Sequence, residues 1–252
     1  MKTTGNTILI TGGGTGIGRG LAEAFHALGN QVIVAGRRGQ VLDAVTAANP
    51  GMKSLTVDMR DASAIREFAA QVTAQIPALN VLINNAGIMR MEKFPQGDIS
   101  DAESIVATNL LGPIRLTAAL LPLLQKQAHS VIMNVSSGLG FVPIALTPTY
   151  CATKAAIHSY TQSLRYQLAD STTEVLELIP PYVATDLMNG ASDPRAMPLD
   201  KFISETMAIL HAGPVDGEIC VENVKRLRFA AGSGHYNGAF KGLNDAWKDA
   251  AR

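Results

Sequence analysis

The chain has 252 residues, 47% hydrophobic and 17% charged, which is enough apolar material for one sizeable core. Lys+Arg and Asp+Glu each number 21, so the formal net charge is zero and there is no basic footprint for nucleic acid or a membrane surface. Two cysteines, Cys151 and Cys220, are too few for a disulfide framework and point to reduced thiols, while the five histidines show no ligand spacing, so no metal is expected.

The N-terminus, "MKTTGNTILIT", lacks the apolar stretch of a signal peptide, and a soluble cytoplasmic protein is expected. "TILIT" (7–11) reads as the first strand, followed by a glycine-rich turn and a helix over 17–28. Further strands are expected at 31–36, 54–58, 80–85, 130–136 and 174–179. They are continuously apolar, as strands covered on both faces should be. Helices are expected at 40–48, 62–75, 101–126 and 150–169. The stretch "LLGPIRLTAALLPLL" inside the fourth of these five helices carries Arg115 and two prolines, which argues against a membrane span. Strand–helix alternation implies right-handed βαβ units and an α/β fold of Rossmann type. That means a doubly wound parallel sheet of about six strands with helices on both faces. Residues 1–252 form one dinucleotide-binding domain in this reading. Residues 185–215, with Gly190, Pro194, Pro198 and Pro214, read as a mobile apolar insertion over the substrate. Residues 217–230 read as a helix, and 237–249 as a possible last one.

In "TGGGTGIG" (11–18), Gly12, Gly16 and Gly18 allow a tight turn and a close backbone approach to a pyrophosphate. Its charge meets the N-terminus of the following helix. Gly14, Thr15 and Ile17 belong to the same turn. The second strand ends in Gly36, Arg37 and Arg38. A carboxylate there would hold a ribose 2′-hydroxyl, whereas arginines suit a 2′-phosphate, so NADP(H) is the expected cofactor. Tyr150 and Lys154 lie one helical turn apart on one face. A lone pair of this kind is also what a surface tyrosine packed on a lysine stem gives.

"TGGGTGIG", "NNAG" (84–87), Asn109 in "NLLG", "NVSS" (134–137) and Tyr150-x-x-x-Lys154 stand in order, with Ser137 thirteen residues before Tyr150. Over about residues 5–190 this resembles the short-chain dehydrogenase/reductase family, in its compact single-domain subgroup. The resemblance implies Tyr150 as catalytic acid/base, Ser137 as donor to the substrate oxygen, and Lys154 as the residue that tunes Tyr150 and holds the nicotinamide ribose. It also implies Asn109 as anchor of a proton-conducting water. Asn85, Ala86 and Gly87 would line the adenosine side of the cofactor, Asp58 and Met59 would touch adenine, and Pro180, Val183 and Thr185 would meet the carboxamide. Leu139, Phe141, Ile144, Tyr182, Leu187 and Met188, together with Ser137, would form the substrate pocket, with Leu146 flanking it. Relatives form a two-fold dimer through helices near 101–126 and 150–169, so a homodimer is expected.

Three departures accompany the match. Pro181 stands where the family usually has glycine, removing an N–H and fixing φ. The usual final strand is missing, because "CVENVKRLRFAAGSG" reads as a helix, which weighs against a tetramer built through it. Thr15 is also uncharged where many NADP(H)-using relatives carry a basic residue.

A free tyrosine has a pKa of about 10, and an ammonium at ~4 Å contributes at most about 4 kcal/mol at an effective dielectric near 20, roughly three pKa units. Lys154 is therefore expected to lower Tyr150. The resulting expectation is an NADP(H)-dependent carbonyl reductase or alcohol dehydrogenase acting on a medium-sized apolar ketone, aldehyde or secondary alcohol. The alternatives are a catalytically silent dinucleotide-binding sensor or scaffold, and an isomerase or dehydratase that retains its cofactor.

Overall fold

The computed structural model describes residues 1–92, 99–188 and 193–248. Its strands are β1 (Thr7–Thr11), β2 (Gln31–Gly36), β3 (Lys53–Thr56), β4 (Val81–Asn84), β5 (Ser130–Val135), β6 (Thr173–Ile179) and β7 (Glu218–Cys220). They form one parallel sheet in the order β3-β2-β1-β4-β5-β6-β7. The order reverses at β1, and the crevice above the strand C-termini there is where open α/β sheets bind ligands.

Helices α1 (Gly16–Ala27) and α7 (Leu199–Ala212) cover one face, with Phe25 and Phe202 packed beneath Ile8 and Ile10. Helices α3 (Ala62–Gln75), α5 (Gly112–Leu124) and α6 (Pro148–Gln167) cover the other, where Leu9 meets Phe68, Leu116 and Leu120. Adjacent strand side chains point to opposite faces, so an unbroken apolar run feeds both cores at once. Helix α2 (Gly39–Ala48) follows β2, and α4 (Ser100–Val106) leads into α5 through a π-turn at Ala107–Leu111. Ser100–Leu124 spans 25 residues and contains an 18-residue window of mean hydropathy 1.4, long and apolar enough by length and composition to cross a membrane. Leu116, Leu120 and Leu124 on it are fully buried against the sheet.

Two expectations are corrected. The sheet has seven strands, not about six. Glu218–Cys220 pairs in parallel with Glu177–Ile179, and only then does α8 (Glu222–Arg228) begin. A three-residue strand has no readable period, and it is set up by a tight turn with positive φ at Asp216 and Gly217. The argument against a tetramer from a missing seventh strand loses its premise. The insertion over 185–215 is also not one flap. Val183 bridges Met197, and α7 is core: Phe202 is fully buried, and Ile203 fills the space left by Gly20 on α1. Of the expected insertion, residues 189–192, Gly190 included, lie outside the described residues. The last helix, α9, runs Tyr236–Asp245, and residue 249 lies outside the described residues.

The burial of α7 is open to direct measurement. Phe202→Ala should cost about 3–5 kcal/mol in urea unfolding, as removal of a buried phenylalanine does. A loss below about 1 kcal/mol would return α7 to the status of a surface flap.

Candidate active site

One cavity of about 540 Å³ runs over the C-terminal edge of the sheet. Its floor is the turn between β1 and α1. A Cβ on Gly18 would stand 2.3 Å from the Gly12 carbonyl oxygen and 2.4 Å from Asn85 Nδ2, so only glycine lets α1 start against this turn. Thr15 makes no side-chain cap to α1, and the first turn carries no acidic residue. The helix therefore offers uncapped N–H groups and the positive end of its dipole to the cavity. Asn85 secures the turn by donating to Thr11 O at 2.9 Å and Gly12 O at 3.3 Å. Gly12, Gly14, Thr15, Gly16 and Ile17 all line the cavity, with Ala86 and Gly87 opposite. An uncapped helix start beneath a glycine turn fits a pyrophosphate.

At the β2 end, Gly36, Arg37, Arg38, Asp58 and Met59 line the same cavity. Arg37 and Arg38 are exposed and have no ion-pair partner among the described residues. Asp58 is engaged by Arg60, whose Nη2 lies at 2.7 Å, and this bond holds the carboxyl below its usual pKa. No carboxylate stands at the end of β2 itself, where a Cβ on Gly36 would meet Leu42 at an ordinary contact distance of 3.7 Å.

The other end is built by β5 and α6. Ser137 follows β5, caps a short 3₁₀ turn (Gly138–Gly140), and accepts from Leu139 N–H at 3.2 Å. A Cβ on Gly140 would stand 2.9 Å from the Lys154 carbonyl carbon, so glycine allows this turn to lie on the backbone of α6. Glu92 caps α6, accepting from Thr149 N–H at 2.9 Å and Thr149 Oγ1 at 2.6 Å, one residue before Tyr150. Ser137, Tyr150 and Lys154 are 7%, 6% and 5% exposed, and all three side chains border the cavity. Buried lysine is rare unless it is paired, and Lys154 Nζ donates to Val135 O at 2.8 Å. Burial lowers its pKa to about 8, with the negative charge of Glu177 acting against that fall.

Tyr150 departs from expectation. Burial raises its pKa above the ordinary value, with a hydrogen bond to Ser137 working the other way. Lys154 stands 5.5 Å from the ring centroid, with its hydrogen bond directed at Val135 rather than the phenol. Burial therefore dominates, and the phenol is held protonated.

Asn109 lies in the π-turn, accepts from Ile88 N–H at 2.9 Å and donates to Ile88 O at 2.8 Å. It stands behind the cavity wall rather than in it, as Gly18 does. Leu139, Ile144, Tyr182 and Leu187 line the substrate end, and Pro180, Val183 and Thr185 line the wall between. Phe141 does not. It packs edge-on against His158 at 4.6 Å and under Arg228 at 4.7 Å, because the 3₁₀ turn aims it outward toward α8. The Met188 side chain lies outside the described residues.

Sequence reasoning missed the far wall. Leu243 on α9 and Trp247 just beyond it line the cavity. Trp247 meets Tyr182 edge-on at 5.4 Å, Arg195 stacks on Trp247 at 4.3 Å, and Asn244 donates to Pro143 O at 3.1 Å. The available signal was an apolar pair four residues apart in a polar C-terminal segment, one member being the chain's single tryptophan.

The family described as short chain dehydrogenase matches residues 6–196. An uncharacterised oxidoreductase, DltE, of Bacillus subtilis is 38% identical over 250 residues, covering 97% of this chain and 98% of that one. The NADP-dependent 3-hydroxy acid dehydrogenase YdfG of Shigella flexneri is 32% identical over 175 residues, 69% of this chain and 71% of its own. The closed form of a serine dehydrogenase complexed with NADP⁺ superposes with a TM-score of 0.75 at 26% identity, covering 84% of this chain and 91% of that chain. With its motifs assembled around a single cleft, this chain belongs to the short-chain dehydrogenase/reductase family, a Rossmann-type oxidoreductase dependent on a nicotinamide dinucleotide.

Proposed function

We propose that the protein is an NADP(H)-dependent reductase of a medium-sized, largely apolar ketone or aldehyde, or in reverse a dehydrogenase of the matching secondary alcohol. The observation that carries this reading is the convergence of Ser137, Tyr150 and Lys154 on the cavity wall, with Arg37 and Arg38 at its other end. The NADP named for YdfG and for the serine dehydrogenase supports the cofactor choice. Ile144, Leu139, Leu243 and Trp247 give the substrate end its apolar character.

The cofactor, when bound, supplies the hydride. Ser137 Oγ holds the carbonyl oxygen and polarises it. The Tyr150 hydroxyl, kept protonated by burial, gives its proton to that oxygen as negative charge develops. Lys154, tied to Val135, presents its remaining N–H donors to the ribose and offsets the charge left on Tyr150. The backbone N–H groups at the start of α1 hold the pyrophosphate, and Arg37 and Arg38 the 2′-phosphate. The helices α4–α5 and α6 form the expected homodimer contact in this reading.

A panel of carbonyl substrates assayed with NADPH and NADH tests the proposal as a whole; no oxidation of either reduced cofactor would sink it. Tyr150→Phe should lower kcat by at least about a hundredfold, the scale of a general-acid contribution, while NADPH binding by fluorescence titration changes little. Near-full kcat would remove Tyr150 from the role of acid. Lys154→Ala should damage both kcat and NADPH affinity, and loss of neither would reduce it to a packing residue. The wild type should prefer NADPH by on the order of ten- to a hundredfold in kcat/KM, the value of one good charge-assisted arginine contact. Gly36→Asp with Arg37→Ala should move that preference toward NADH; equal use of both by the wild type would place selection elsewhere.

A further inference from the structure

Helix α8 carries three cations, and they are not equivalent. Lys225 Nζ lies 2.7 Å from Glu222 Oε2, and Arg228 grips Glu218 through Nε at 2.7 Å and Nη2 at 2.8 Å. Arg226 stands between them without a hydrogen bond or ion pair among the described residues. It lines the cleft instead, together with Asn223 and Leu227. These positions are spaced i, i+3 and i+4, which is one face of a helix. The face that α8 turns to the cleft therefore carries a cation with no carboxylate of its own.

The helix is seated at the substrate end. A Cβ on Gly138 would stand 2.8 Å from Val224 Cγ2 and 3.0 Å from Leu227 Cδ1, so α8 lies directly on the 3₁₀ turn that Ser137 caps. Leu227 packs with Leu243, and Leu243 and Trp247 pack against the cluster that holds Ile144 and Tyr150. The glycine turn, Arg37 and Arg38 lie at the opposite end, so the phosphates of a dinucleotide do not need Arg226. The other charged residues on this stretch of wall are Arg90 and Asp186. Arg90 follows Met89, a member of the same cluster as Tyr150, and reaches Asp101 only at 4.0 Å. Two guanidiniums against one lining carboxylate leave the mouth positive, above an apolar wall.

We propose that Arg226 is a specificity-determining residue that binds a carboxylate at the far end of the substrate. The substrate class is then an oxo acid, or the matching hydroxy acid, with an apolar chain between the carbonyl and the carboxylate. The chain would lie along Leu139, Leu227 and Trp247. A guanidinium offers a planar fork of N–H donors that matches a carboxylate. A phosphate monoester, a dianion that takes several charged donors, is served less well by a single fork with Asp186 on the same wall. The proposal deepens the oxidoreductase reading and rests on it for the fate of the carbonyl, but capture of the carboxylate is measurable without turnover.

Trp247 is the chain's single tryptophan and lines the same end of the cleft, so its fluorescence reports occupancy there. The full chain, with NADP⁺ and without, is titrated with methyl-ketone acids of increasing length (5-oxohexanoate, 7-oxooctanoate, 9-oxodecanoate), each beside its methyl ester. At least one acid should bind roughly tenfold more tightly than its ester, the scale of one charge-assisted contact. Arg226→Gln should bring that ratio close to one. Arg226→Lys, which keeps the charge without the fork, should keep part of it. The acid-to-ester ratio in kcat/KM with NADPH should follow the same order. A packing role would weaken acid and ester alike, and an unchanged ratio in Arg226→Gln overturns the proposal. So does a ratio near one for every wild-type pair, or a preference that survives Arg226→Gln and disappears in Arg90→Gln. A wild type that oxidises neither NADPH nor NADH with any carbonyl would sink the oxidoreductase reading, while the fluorescence ratio still judges Arg226.

Discussion

The bond from Lys154 Nζ to Val135 O organises the C-terminal half of the molecule. An ammonium 95% removed from solvent is costly unless the protein replaces the water it gave up. The replacement here is one carbonyl at the end of β5 and charge from farther back. That requirement fixes the distance between β5 and α6, and hence the distance between Ser137 and Tyr150. Gly140 serves the same end by letting the 3₁₀ turn rest on the helix backbone. The π-turn does so from the opposite side, since Asn109 clamps Ile88 and reaches Thr153 at 3.4 Å. π-Turns inside helices concentrate at functional sites, and this one aims a side chain that an unbroken helix would direct elsewhere.

The cofactor half of the cleft works on a different principle. It uses few side-chain contacts and relies on backbone left open by glycine and by an uncapped helix. Its charged side chains, Arg37 and Arg38, stand in solvent. One end of the site is therefore a surface that waits for charge, and the other an interior where charge is already held. The phenol lies between the two, raised by burial and within reach of a lysine.

Most of this fold was readable because its signals are local. Continuous apolar runs mark strands covered on both faces, and Tyr150 and Lys154 share a helix face by spacing alone. The glycine turn is recognisable because it joins a strand to a helix. What escaped reading depends on contacts distant in sequence. β7 is three residues long and exists because β6 offers it an edge. Phe141 looked like a pocket residue by position, but the turn carrying it faces α8. The tuning of Tyr150 was misread because neither the depth of burial nor the direction of the Lys154 hydrogen bond is written in their spacing. Glu177 did leave a trace: it is the second carboxylate of "EVLELI", set between apolar residues in a strand otherwise fit for a core. The wall formed by Trp247 required knowing that the chain's end returns across the cleft.

That return has a bearing on how such a protein diversifies. The groups proposed to perform chemistry sit just beyond β5 and on α6 and are held by buried partners, so a change there disturbs the core. Trp247 and Leu243 stand on a terminal segment fastened by Arg195, Asn244 and ring contacts, all at or near the surface. The last dozen described residues can therefore change in shape with little penalty to the sheet. On the proposed function, reactivity and substrate shape are encoded in separable parts of the chain, and lineages or laboratories can remodel the second while the first stays as it is.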